Sequence, residues 1–194
     1  MAEIRSALEI ALEKADKLGK ASKEELQADE ARSKGRRIVA VFLDDPKKTS
    51  LKESLSEVEP SELNYVIEGA MDTLIRNVFL PMDDVQMQRI QKALAGIMDI
   101  KGSMAAQVIN GINELVRQFQ QTYAQYKEQL KTQMQSRLGS IQQAMAQQYG
   151  MGAAQGLDAE AIPEFQKEWS KLSEEIKQQF GRELDKMKQY LLQI

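Results

Sequence analysis

Apolar residues recur along this chain at steps of three and four, the period of an amphipathic helix. The pattern is clearest at the end. Phe165, Trp169, Leu172, Ile176, Phe180, Leu184, Met187, Leu191 and Ile194 are separated by 4, 3, 4, 4, 4, 3, 4 and 3. Read backwards, Met145, Ile141, Leu138, Met134, Leu130, Tyr126, Tyr123, Phe119 and Val116 repeat the same steps. The two series mirror each other about position 155, each facing pair summing to 310. Between them, residues 149–162 contain Gly150, Gly152 and Gly156, and Pro163 suits the first turn of a helix. The spacing therefore predicts an antiparallel helical hairpin, about 116–148 with 163–194. A mean step near 3.6 predicts a nearly straight pair.

Residues 103–148 hold no proline and only two glycines, Gly111 and Gly139. A continuous helix over them would be about 70 Å long. If Ile194 faces Val116, residues 103–115 extend past the hairpin's base, and Val108, Ile109 and Ile112 pack on the helices before them. One helix then belongs both to a compact base, about 61–115, and to a projecting arm, 116–194.

Upstream, Leu63, Val66, Ile67, Ala70, Met71, Leu74, Ile75 and Val78 form a broad apolar face. Phe79-Leu80-Pro81 stops that helix. Asp83 or Asp84 caps the next, with Val85, Ile90, Leu94, Ile97 and Met98 directed inward and Gly102 just past its end. Residues 1–60 read as an N-terminal helical extension, partly mobile or interface-forming. Ile4, Leu8, Leu12 and Ala15 mark one helix. Ser22 with Glu25, and Ser50 with Glu53, have the form of capping boxes. Residues 37–43 carry strand-type side chains in Ile38, Val39, Val41 and Phe42. A lone strand has no partner here, so helix is the expectation, ended by Pro46. The fold class is all-α.

Composition narrows the chemistry. The 194 residues include no cysteine and no histidine. That removes thiol chemistry, the usual general base and the commonest transition-metal ligand. The net charge is −3, and no segment has the basic excess that nucleic-acid binding needs. The Lys34-Gly-Arg-Arg37 cluster reads as a solvated face. The first residues lack the apolar core of a signal peptide, and the longest aliphatic run, 38–43, is far short of a membrane span. A cytoplasmic location is expected. Asp44-Asp45 and Asp83-Asp84 read as a turn and a cap, so no metal site is expected. The stretch 150–156 is spaced G-x-G-x-x-x-G, which misses the dinucleotide fingerprint. No cofactor is expected.

Residues 103–150 hold twelve glutamines. A weakly charged helix surface fits an interface better than a freely solvated face. Tyr149, Met151 and Leu157 place apolar groups at the hairpin tip, a candidate protein-interaction site. The expected function is that of a non-catalytic interaction or scaffold protein, a homodimer or a subunit of a larger assembly, with a protein partner, self or other. A holdase-like chaperone using the arm is one alternative, and a carboxylate-based enzyme is another.

Overall fold

The computed structural model of the chain describes residues 23–45, 50–149 and 159–194, of which 23 and 141–149 by backbone only. The expected helix at 2–18, the capping box at Ser22 and the glycine-rich stretch at 150–156 lie outside the described residues. The protein is all-helical. In order the helices are α1 (Lys23–Asp44), α2 (Leu51–Ser56), α3 (Leu63–Arg76), α4 (Asp84–Lys101), α5 (Ser103–Tyr149) and α6 (Pro163–Gln193). A 3₁₀ turn, Ala159–Ala161, precedes α6. Residues 37–43 are the last turns of α1, and no strand is present among the described residues. No described helix is long and apolar enough to cross a membrane.

Cap chemistry sets several of these boundaries. The Ser50 hydroxyl accepts from the Glu53 N–H at 3.3 Å and opens α2. Asp83 accepts from the Gln86 N–H at 2.7 Å, and the Gln86 side chain accepts from the Met82 N–H at 2.8 Å. These reciprocal bonds satisfy donors that an α-helix leaves free at its start. Gly102, at φ 61°, is the one left-handed residue among those described, and its N–H bonds the Met98 carbonyl. Only glycine takes that conformation without strain.

The chain divides into two compact units, Met1–Leu74 and Ile75–Ile194. In the first, Ala31, Val58 and Val66 form a core, with Ile38, Leu55 and Leu63 packed on it. α1 and α3 approach closely at two glycines. A Cβ on Gly35 would lie 2.0 Å from the Val66 carbonyl oxygen, and one on Gly69 would lie 2.0 Å from the Arg32 carbonyl oxygen. Small residues precede Gly35 on the same face of α1, where Ala28 and Ala31 are both buried. Polar groups flank the crossing. Arg32 donates to Glu68 at 2.9 Å and to Asp29 at 3.0 Å, and its guanidinium lies 5.1 Å from the Tyr65 ring centre.

In the second unit, α4 and α5 fold back on each other about Gly102, and Gln91 donates to Asn113 at 2.9 Å. Ile90, Leu94 and Ile97 are buried as the pattern predicts, but Val85 is 76% exposed. It stands five residues before Ile90, which turns it about 140° off the buried line.

α5 and α6 form the antiparallel hairpin. Its register differs from the mirrored spacing. Phe180 packs edge-on against Phe119 with ring centres 5.6 Å apart, not against Leu130. Met187 reaches the Gly111 position, its methyl 3.6 Å from where a Cβ would stand. Phe165 joins Leu130, Met134 and Ala159 in one buried cluster. Facing positions thus sum to 292–299 rather than 310. The hairpin reaches below residue 116, so residues 103–115 do not stand clear of α6. The cause is degeneracy. Sliding one helix by eleven residues, about three turns, returns nearly the same face. The apolar stripe by itself therefore fits several registers. Tyr126 is 44% exposed for a related reason. Two successive steps of four rotate a stripe by about 80°, and the buried line runs through Tyr123 instead.

The 3₁₀ turn is clasped to α5. Lys127 and Lys131 bond the Glu160 carboxylate at 2.8 and 3.1 Å. Lys127 first, then Lys131, holds that carboxyl below the ordinary carboxylate range. A lowered folded-state value means the contribution is present above the unfolded-state value and is lost as pH falls through the folded one. Glu160→Gln is therefore expected to lower the urea midpoint at pH 7. The gap from the parent protein should close as pH falls below the folded-state value, where both chains carry a neutral group. A gap that persists at low pH would show that the carboxylate charge is not what matters.

Candidate interaction surface

α5 presents two contrasting sides. Toward α6 it buries Val116, Phe119, Leu130 and Met134. Phe119 also meets Tyr123 at a tilt of 47°, and the Tyr123 ring stands 4.7 Å from Trp169. Lys177 lies over the Tyr123 ring at 5.9 Å. Four aromatic rings from two helices thus join in one chain of contacts.

The opposite side is exposed. Among the exposed residues from 118 to 136, only Glu128 carries a charge; the rest include Gln118, Gln121, Gln125, Gln129 and Thr132. The exposed side of α6 differs sharply. Lys171, Glu174, Glu175, Arg182, Glu183 and Lys186 all face outward there. Each helix of the hairpin meets water with one side, yet only α6 is charged as a solvated helix is.

An open groove of about 520 Å³ runs along this face of α5, lined by Gln125, Glu128, Gln129, Thr132 and Gln133. The lining is mostly carbon. About two turns nearer the α5 start, Arg117 donates to Glu114 through Nε and Nη2 at 2.7–3.1 Å. Arg117 first, then Gln118, draws the Glu114 carboxyl below its ordinary range.

In the first unit, a recess of about 320 Å³ lies between the start of α1 and the start of α3. Ala28 and Ala31 floor it, and Glu24 and Glu62 stand at its rim, Glu62 accepting from Lys34 at 3.3 Å. Among the described residues, no group of three or more acids converges to hold a metal ion.

The interaction residues expected at the tip are not brought into view. Met151, Leu157 and the Tyr149 side chain lie outside the described residues. Asp83 acts as the N-cap of α4, and Lys34 and Arg37 bond Glu62 and Ser33. The glycine crossing of α1 and α3 escaped the sequence reading. A signal did exist, since a glycine inside a helix is unfavourable unless something needs the space.

Residues 52–193 match the model of a family of unknown function, DUF6657. The chain belongs to that family. No curated protein and no solved structure matches it. The DUF6657 match runs from α2 through α6, so it contains the whole hairpin and the outer face of α5. α1, which carries Gly35, precedes it.

Proposed function

We propose that this DUF6657 member is a non-catalytic, cytoplasmic interaction protein that self-associates as a homodimer through its hairpin. One observation carries the reading: the exposed side of α5 is nearly free of charge over about five turns, while the exposed side of α6 is densely charged. Interface cores are depleted of charged residues relative to the remaining surface. A helix side left to water gains nothing from such depletion. Glutamine amides both donate and accept, so a glutamine-rich face is complementary to a second copy of itself. The absence of cysteine fits a reducing compartment.

Sedimentation equilibrium of the full chain over a wide concentration range tests this reading. A reversible monomer–dimer equilibrium is expected. A strict monomer at every concentration would overturn it.

A further inference from the structure

Resting on the homodimer reading, the charge pattern of α5 defines both the face and the register of that pairing. Arg117, Gln121, Ala124 and Glu128 follow one another at steps of four, three and four. They therefore lie on a single line down the helix. All four are exposed, on the side away from α6. Glu128 makes no hydrogen bond or ion pair among the described residues. The bonds from Arg117 to Glu114 use Nε and Nη2, leaving Nη1 for a second carboxylate.

Positions 117 and 128 sum to 245, as do 121 and 124. A second copy laid antiparallel, with the two-fold axis passing between residues 122 and 123, sets Arg117 against the second copy's Glu128. Symmetry supplies the reverse pair. The same axis sets Asn110 opposite the second copy's Gln135. A parallel pairing in register would instead place Arg117 beside Arg117 and Glu128 beside Glu128, which is repulsive. Ala124, the smallest side chain on the line, faces Gln121 near the axis and lets the two backbones approach. The contact is isologous, as a two-fold dimer requires.

We propose that the outer face of α5 from Asn110 to Gln135 binds the same face of a second copy, antiparallel, with Arg117 and Glu128 paired across the two-fold axis. The stretch is about 39 Å long. Because its charges meet at a polar, partly wet surface, the association is weak and weakens further in high salt.

Charge exchange tests the pairing in the full chain by sedimentation equilibrium at low ionic strength. Arg117→Glu and Glu128→Arg should each weaken dimerisation at least about tenfold, since each sets like charges opposite one another. The double variant should regain most of the affinity. Dimers indifferent to the single exchanges would overturn this register while leaving self-association standing. A double variant no better than the singles would overturn the ion pairing. A monomeric parent protein would overturn both. Disulfide trapping supplies a second readout, because the chain has no cysteine of its own. A mixture of Gln121→Cys and Ala124→Cys chains should form the mixed disulfide faster than either chain forms its own. The opposite order would establish a parallel contact and overturn the proposal.

Discussion

Gly69→Ala is expected to lower the thermal midpoint by about 6–12 °C, equivalent to roughly 3 kcal/mol in a chain of this size. In most helices the same change is favourable by up to about 1 kcal/mol, because alanine is the better helix former. Here the new Cβ would stand 2.0 Å from the Arg32 carbonyl oxygen and 2.7 Å from its carbonyl carbon. Both atoms belong to the backbone of α1, so no side-chain rotation relieves the clash and the helices must move apart. Gly35→Ala meets the Val66 carbonyl oxygen at 2.0 Å and should behave alike. Gly181→Ala is the control. It lies inside α6, where an added methyl would find nothing within 4 Å, and it should be neutral or slightly stabilising. Circular dichroism melts of the three variants check this. Equal behaviour at Gly69 and Gly181 would contradict the close crossing.

Phe119→Ala should cost about 3–5 kcal/mol, the usual range for emptying a large aromatic site in a well-packed core. Phe119 is 1% exposed and touches both Tyr123 and Phe180. Removing it leaves a void between the helices and breaks the run of rings. Tyr126→Ala should change stability by no more than about 0.5 kcal/mol, since Tyr126 is exposed and lies off the buried line. The comparison decides the hairpin register, because the mirrored spacing puts Phe119 and Tyr126 in the seam alike. Urea unfolding followed by the fluorescence of Trp169, the single tryptophan, reads both variants. That indole stands 4.7 Å from the Tyr123 ring, so its emission reports on the seam itself.

The candidate surface was half legible in the amino-acid sequence. The glutamine run marked α5 as unusual, because composition is a local property and needs no coordinates. Which glutamines face water was not legible, since that depends on where α6 lies. The tip residues Tyr149, Met151 and Leu157 drew attention as apolar groups near glycines, and the described residues do not bear on them.

Helix content, most helix ends and the hairpin connection follow from the sequence by itself. They rest on interactions within a few residues: the 3.6-residue stripe, Asp83 and Ser50 as caps, Gly102 as a stop, and Pro163 as a start. The register of the hairpin and the crossing of α1 on α3 were decided only in three dimensions. A stripe of leucines and methionines accepts a partner displaced by three turns almost as well as one in place. The choice falls to particular contacts such as Phe119 with Phe180, Met187 over Gly111, and Glu160 between Lys127 and Lys131. Gly35 and Gly69 stand 34 residues apart in the chain. Nothing in either neighbourhood says that one helix backbone will rest against the other, because close approach is a property of the pair.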